Sequence, residues 1–273
     1  MIPDFTLVLG VDENHIKELE LVLPTWMKFK PSLLKRKILV FYDRDAKLKE
    51  IDAVFGQHGI QPDYQIWPRD GVEYTGDENT KWFHPQRYKM LAGFIHAAAM
   101  RVETEYWMKL DLDVVATGND DWIDKSWFAG KPAIISQPWS YTKPKDQMIV
   151  LDRWARTHAS LLPELNGTYP LNLFPQPDAT SLPHKRIISW CSFWNTKFTK
   201  MASRMAEATC GEGQLPVPSQ DGFLFYLAKR MDLGIVKPNF KRLGFQHCSN
   251  FRKVQRTVNE LLQQHKNPEN GLS

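Results

Sequence analysis

Short apolar runs alternate with amphipathic segments through the first 110 residues of this chain. Residues 5–11 and 37–42 are rich in Val, Leu, Ile and Phe, and each has the length of a buried strand. Between them, apolar residues recur every three or four positions, as they do on one face of a helix: Ile16, Leu19, Leu23, Trp26 and Met27. A strand, a helix and a second strand in this order predict the beginning of a parallel α/β sheet.

The alternation continues up to residue 110. Helices are predicted over residues 46–56 and 86–103, and strands over residues 64–67 and 106–110. The expected fold class is therefore α/β, with a mixed, mostly parallel central sheet flanked by helices in a single domain.

The sequence changes character after Gly118. Eight prolines between Lys131 and Pro183 exclude long regular elements from that stretch. Beyond it, a strand is predicted over 187–194 and helices over 199–208 and 222–231. A final amphipathic helix is predicted from Phe251 onwards, because apolar residues again recur every three or four positions.

Composition excludes several classes of protein. With 42% hydrophobic and 24% charged residues among 273, the chain can bury a substantial core, so disorder is not expected. No run approaches the roughly 18 apolar residues that span a bilayer, and the start of the sequence lacks the features of a secretory signal. We therefore expect no membrane span and a cytoplasmic location. Three cysteines without a CxxC pair predict neither a disulfide framework nor a cysteine zinc site: Cys191, Cys210 and Cys248.

The charge is mildly basic overall and concentrated near the end of the chain. A net charge of +4 suits anionic ligands such as nucleotides without requiring a nucleic-acid partner. Six basic residues lie between 237 and 256 with no acidic residue among them: Lys237, Lys241, Arg242, Arg252, Lys253 and Arg256. This stretch is either a solvated basic face or a surface for a polyanion. No obligate protein partner is evident from the sequence.

Two carboxylates directly follow the predicted strand 106–110, in Asp111-Leu112-Asp113. Residues i and i+2 at the end of a strand point to one side, so both carboxylates can bind one hard divalent cation. The carboxyl ends of strands are also where ligands bind in open α/β sheets. Without a cation, the proximity of the two negative charges disfavours their joint ionisation. The alternative interpretation is a solvated or capping pair in a turn. A second Asp-x-Asp, Asp43-Arg44-Asp45, has the charged surroundings of an exposed turn.

The stretch from Tyr106 to Val115, which contains Asp111-Leu112-Asp113, resembles the donor-site segment of glycosyltransferases with the A-type, Rossmann-like fold. The resemblance implies a nucleotide-sugar donor, usually a UDP sugar, and Mn²⁺ or Mg²⁺. With the change of character after Gly118, it predicts a donor-binding half, 1–118, an acceptor-binding half with the final helix, 119–265, and a tail, 266–273, in one continuous domain.

The resemblance assigns donor contacts in the first half. It places Gly10, Val11 and Asp12 beside the nucleotide, at the end of the first strand. Asp43 would hydrogen-bond the base or ribose, unless it caps the following helix.

Two further sets of residues match the family pattern. Arg87 and Lys89 stand where basic residues near the donor are usual, although both also suit the exposed first turn of a helix. His247 matches a late histidine that completes the metal site with Asp111 and Asp113. Its alternative role is a histidine that is simply hydrogen-bonded in place.

Asp221 is the candidate catalytic base. It lies at a predicted helix start, where backbone N–H groups favour an ionised carboxylate, and family members often place an acidic base there. The sequence departs from the usual pattern at Gln220, where Glu or Asp commonly precedes the base. The alternative is a helix cap without a catalytic role.

These residues predict transfer of a sugar from a nucleotide-diphosphate sugar to an acceptor hydroxyl. The acceptor could be a glycan, a small molecule or a modified nucleic acid such as DNA with a hydroxylated base, and Trp139 could line its cleft. One alternative is a sugar-nucleotide nucleotidyltransferase, although residues 10–14 contain one glycine and two acids rather than a glycine-rich phosphate loop. Another is a non-catalytic module that binds glycan or nucleic acid through its ten tryptophans and the basic stretch.

Overall fold

The computed structural model describes residues 2–13, 15–42, 45–66, 94–95, 97–140, 185–187, 190–210, 220–239 and 242–266. The strands in these residues are β1 (Phe5–Val11), β2 (Ile38–Tyr42), β3 (Asp63–Ile66), β4 (Tyr106–Leu110), β5 (Val114–Ala116), β6 (Ile134–Ile135), β7 (Pro138–Ser140), β8 (Lys185–Ile187), β9 (Cys191–Asn195), β10 (Ile235–Val236) and β11 (Phe245–His247). The helices are α1 (Ile16–Phe29), α2 (Pro31–Leu34), α3 (Asp45–Gly56), α4 (Thr196–Cys210), α5 (Gln220–Arg230) and α6 (Phe251–Lys266).

Seven of these strands form a mixed sheet in the order β10-β6-β9-β4-β1-β2-β3. The pairs β1–β2, β2–β3 and β6–β10 are parallel, and β6–β9 is antiparallel. Two small antiparallel sheets join β5 to β11 and β7 to β8. The α/β fold class with a mostly parallel sheet is therefore confirmed.

Most of the predicted elements are present with boundaries shifted by a few residues. The long helix predicted at 86–103 is described in part, and its residues 94–95 and 97–101 are helical. The single strand predicted at 187–194 is wrong, because β8 ends at Ile187, Trp190 lies in a turn, and β9 begins only at Cys191. None of the described helices is long and apolar enough to cross a bilayer.

The chain divides into two compact units. The first comprises Met1–Ile66, Met108–Lys125 and Asn239–Ser273. Its core includes the fully buried Leu23 and Trp26 of α1, the helix that packs against α6 and β5. Met27 was expected on the same apolar face, but its exposed fraction is 36%.

The second unit comprises Trp67–Trp107 and Ser126–Pro238. The rings of Trp107 and Trp194 stack in its interior, with centroids 6.0 Å apart. The Trp107 indole N–H donates to Thr199 Oγ1 at 3.1 Å, so a buried polar group is satisfied. The predicted division of the chain near residue 118 stays a prediction.

Candidate functional site

The Asp111-Leu112-Asp113 segment lies in the turn between β4 and β5, within the first unit. The Val114 N–H donates to the Asp111 carbonyl at 3.2 Å and closes this turn. Leu112 is almost fully buried, which anchors the turn between the two aspartates. The pair is therefore at the carboxyl end of β4, as the sequence predicts, but in a turn rather than on extended backbone.

Strand β5 is fixed from two directions. On one side, the Trp26 indole N–H donates to the Val114 carbonyl at 2.7 Å, and the Ala116 N–H donates to Thr25 Oγ1 at 3.1 Å. On the other side, β11 pairs with it in antiparallel register, with His247 opposite Val114. Because Asp113 directly precedes Val114, this register brings His247 to the aspartate.

Close backbone approach at Gly244 makes this strand pairing possible. The Thr117 N–H donates to the Gly244 carbonyl at 2.7 Å, and Gly244 has a φ of +82°. A Cβ atom at this position would lie 2.0 Å from the Thr117 carbonyl oxygen. Only glycine fits there, since it tolerates a positive φ and carries no Cβ.

His247 and Asp113 form the central contact of the site. His247 Nε2 lies 3.1 Å from Asp113 Oδ2, and the exposed fractions of their side chains are 35% and 19%. The hydrogen bond to Asp113 raises the pKa of His247 above its ordinary value. Burial raises the pKa of Asp113, but the hydrogen bond and charge of His247 outweigh it, so the net pKa lies below its ordinary value.

The second oxygen of Asp113 makes this site suitable for a cation. Asp113 Oδ1 is buried and has no hydrogen-bond partner among the described residues. A buried carboxylate oxygen without a partner is costly, and a hard divalent ion would satisfy it. Two carboxylates and an imidazole are also a donor set that suits Mn²⁺.

Only two of the three predicted metal ligands are together in the structure. Asp111 instead forms an ion pair with Lys109, between Oδ1 and Nζ. In the described part of the chain, no three His, Cys, Asp or Glu side chains come close enough to hold a metal ion. Metal binding by Asp111, Asp113 and His247 together would require Asp111 to turn away from Lys109.

A second group of charged residues follows β1. His15 Nδ1 lies 2.6 Å from Asp12 Oδ1, and His15 Nε2 lies 3.7 Å from Glu18 Oε2. The hydrogen bond to Asp12 raises the pKa of His15, and the charge of Asp111 raises it further. Burial raises the pKa of Glu18, with a further contribution from Asp113. Asp12, His15 and Glu18 are therefore coupled electrostatically to the aspartates of the turn.

Sequence reasoning identified Asp12 and Asp111 but missed the charged residues beside them: His15 and Glu18 near Asp12, and Lys109 next to Asp111. A detectable signal was present for each. Asp12, His15 and Glu18 are spaced three apart across a helix start, and Lys109 is two residues before Asp111 on a strand. Both spacings place side chains on one face.

The remaining predicted residues occupy different parts of the chain. Gly10 and Val11 end β1, where the Val11 side chain is buried, so only its backbone could contact a nucleotide. Asp221 is the second residue of α5. The others fall outside the described residues: Asp43, Arg87 and Lys89.

Part of the predicted basic stretch lies on α6. Arg252, Lys253 and Arg256 are exposed in its first turns. Arg256 Nε is 3.9 Å from Glu260 Oε1, and the Arg256 side chain is 71% exposed, so this ion pair leaves its charge accessible to solvent. The Asn250 side chain caps the helix by accepting from the Lys253 N–H at 3.0 Å.

Comparison with known proteins identifies the fold. No protein-family model matches the sequence, and no curated protein gives a significant match to it. The mannosyltransferase Ktr4p from S. cerevisiae has a similar structure, with a TM-score of 0.55, 11% identity, and coverage of 90% of this chain and 70% of Ktr4p. Core-mannan synthase A from Aspergillus fumigatus, in its Mn/GDP form, gives a TM-score of 0.53, 10% identity, and coverage of 89% of this chain and 74% of that protein.

Similarity at this level of identity establishes the fold and not the activity. The order of elements, the mostly parallel sheet and the aspartate turn after β4 all agree with it. The chain therefore has the A-type fold of nucleotide-sugar glycosyltransferases.

Proposed function

We propose that this protein is a metal-dependent glycosyltransferase that moves a sugar from a nucleotide-diphosphate sugar to an acceptor hydroxyl. The observation that carries the proposal is the contact of His247 with Asp113 beside Asp111, at the carboxyl end of β4. That edge of an α/β sheet is where ligands bind, and the fold is one that nucleotide-sugar glycosyltransferases use.

Asp111, Asp113 and His247 would hold the ion, which we take to be Mn²⁺ or Mg²⁺. A bound divalent cation neutralises the charge that develops on the departing diphosphate. The buried, unpartnered Asp113 Oδ1 supports this assignment. The Aspergillus fumigatus protein, which has this fold, was solved in an Mn/GDP form, which supports a divalent metal together with a nucleoside diphosphate.

The end of β1 would contact the nucleotide. Asp12 Oδ1 accepts a hydrogen bond from the backbone N–H of His15 at 3.1 Å and contacts the His15 ring nitrogen Nδ1. The orientation of the Asp12 carboxylate is therefore set before a ligand arrives. Gly10, two residues before Asp12, has no side chain, so a nucleotide could approach its backbone closely. The remaining donor contacts proposed from the resemblance are Asp43, Arg87 and Lys89.

Asp221 is proposed as the base that takes the proton from the acceptor hydroxyl. Its position in the first turn of α5 supports an ionised carboxylate, because the helix N-terminus carries a partial positive charge. An ionised carboxylate within hydrogen-bonding reach of the hydroxyl would accept the proton as the sugar is transferred.

The donor base is proposed to be uracil, from the sequence resemblance, with guanine as the second candidate because S. cerevisiae Ktr4p has also been solved with GDP. A thermal-shift screen of UDP and GDP sugars with Mn²⁺ distinguishes them, since a ligand that binds the native state raises the melting temperature. A donor that raises it only with Mn²⁺ supports metal-linked binding. If no nucleotide sugar raises it under any metal condition, the proposed function is wrong.

Product analysis separates this activity from the alternatives. Release of a nucleoside diphosphate indicates sugar transfer, whereas release of pyrophosphate indicates a nucleotidyltransferase. A non-catalytic binding module would release neither product.

The exposed basic residues of α6 favour an acidic acceptor within the proposed activity. Arg252, Lys253 and Arg256 lie near each other on a helix that follows His247 by four residues. Cations on one surface attract a polyanion through a salt-sensitive interaction. An anionic glycan or a modified nucleic acid is therefore the proposed class of acceptor.

A further inference from the structure

The carboxylates of the candidate metal site and of the neighbouring charged group each lie beside a basic side chain of the protein. His15 faces Asp12 and Glu18, and His247 faces Asp113. The remaining carboxylate, Asp111, is paired with Lys109. Lysine differs from the two histidines because it cannot coordinate a metal while it is charged.

Lys109 has an unusual position for a charged side chain. It lies on β4 between the buried Met108 and Leu110, and its own side chain is only 13% exposed. Lysine is rarely buried unless it is paired. Asp111, which it pairs with, is 37% exposed and therefore faces the open side of the site.

Strand geometry explains why the two groups meet. Successive side chains of a strand alternate between its two faces, so residues two apart lie on the same face. Asp111 directly follows the end of β4, and its side chain therefore meets that of Lys109.

We propose that Lys109 is a resident counter-ion of Asp111 that a divalent cation has to displace. It is a positioning residue: it holds Asp111 in its orientation before the ion arrives, and it sets how tightly the ion binds. The inference rests on the metal site of the proposed function. It accounts for the finding that Asp111 does not join Asp113 and His247 in the structure.

The test is Mn²⁺ binding to the nucleotide-free protein, measured from the electron paramagnetic resonance signal of free Mn²⁺. Lys109→Met removes the charge and keeps a similar side-chain length. We expect it to lower the Kd for Mn²⁺ by roughly three- to tenfold, since the ion no longer competes with a charged hydrogen bond. The same variant should gain more thermal stability than the wild type from a given Mn²⁺ concentration.

Two controls isolate the charge of Lys109. Lys37→Met removes another lysine–aspartate pair of the first unit, the exposed contact of Lys37 with Asp63 at 3.3 Å, and should leave the Kd unchanged. Lys109→Arg keeps the charge and should bind Mn²⁺ about as the wild type does. If Lys109→Met does not fold, Lys109→Gln takes its place with the same expected result.

Three other outcomes of the Mn²⁺ binding measurements would overturn the inference. If the wild type binds Mn²⁺ and Lys109→Met binds it equally or more weakly, Lys109 does not compete with the ion. If Lys109→Arg binds as tightly as Lys109→Met, side-chain shape and not charge is responsible. If neither the wild type nor the uncharged variants bind Mn²⁺, the metal site of the proposed function fails and the inference fails with it.

Discussion

His247 and Asp113 are far apart in the sequence, yet His247 Nε2 lies 3.1 Å from Asp113 Oδ2. Their contact depends on the antiparallel pairing of β11 with β5, which sets His247 opposite Val114. The position of the histidine is therefore determined by backbone register, and changes that disturb the register should act on the site at a distance.

Replacing His247 by alanine should weaken Mn²⁺ binding at least about tenfold, because it removes one of three proposed ligands. Isothermal titration with Mn²⁺ measures the effect. His58→Ala is a suitable control, since it also removes a histidine but in the turn after α3, which contains none of the proposed metal ligands. Unchanged Mn²⁺ affinity in His247→Ala would show that the histidine only hydrogen-bonds Asp113.

Gly244→Ala tests whether backbone register controls the site. The new Cβ would lie 2.0 Å from the Thr117 carbonyl oxygen, so the free energy of unfolding should fall by more than about 3 kcal/mol. Gly59→Ala is a matched control, because Gly59 has a similar positive φ of +68° but no atom within 4 Å of a new Cβ. It should cost only the backbone strain, about 1–2 kcal/mol.

Urea unfolding gives both values. An equal decrease in the free energy of unfolding for the two glycine variants would mean that β5 and β11 can move apart at Gly244 without cost. The proposed role of the close approach at Gly244 would then be wrong. The Gly244→Ala protein that folds should also bind Mn²⁺ more weakly than Gly59→Ala does.

Lys30 should make the free energy of unfolding depend on pH. Its side chain is fully buried, its Nζ donates to the Asn119 carbonyl, and burial lowers its pKa. Because the folded protein loses the Lys30 proton at a lower pH than the unfolded chain, stability should rise as the pH increases from the lowered pKa towards the ordinary one.

Lys30→Met removes that dependence and the hydrogen bond to Asn119. At pH 7 it should cost about 1–3 kcal/mol, since a hydrogen bond from a charged group is lost. Above the lowered pKa, the wild type should gain stability relative to the variant. The control is Lys28→Met, two residues earlier and exposed; parallel pH profiles for wild type and Lys30→Met would contradict the prediction.

Neutralising the basic surface of α6 tests the proposed class of acceptor. A triple variant with Gln at Arg252, Lys253 and Arg256 should bind an anionic acceptor such as DNA more weakly, with a smaller salt dependence. Folding should be little affected because all three residues are exposed. Salt-independent DNA binding by the wild type, or none at all, would remove nucleic acid from the candidate acceptors.

The sequence predicts the fold well where local pattern and burial agree. Strands β1 and β2 and helix α1 follow from apolar runs and helical spacing, and all three are found close to their predicted positions. The split between β8 and β9 was not predicted, because the run from Ile187 to Trp194 is apolar except for Ser189 and Ser192 and contains no glycine or proline to mark the turn at Trp190.

The candidate site shows the same limit. Asp111 and Asp113 are recognisable because they follow an apolar strand. The three-residue strand β11 is too short to have a detectable pattern, so His247 was placed only by resemblance. The ion pair of Lys109 with Asp111 depends on side-chain conformations that the sequence pattern does not determine.

The central claim is metal-dependent sugar transfer at the aspartate turn, and release of nucleoside diphosphate with Mn²⁺ tests it most directly. Wild-type protein should release UDP, or GDP, from the donor that stabilises it, and Asp113→Asn should lower that rate at least about 100-fold. Asp63→Asn, an exposed site on β3, should retain full activity. Full turnover by Asp113→Asn with unchanged Mn²⁺ dependence would contradict the proposed site.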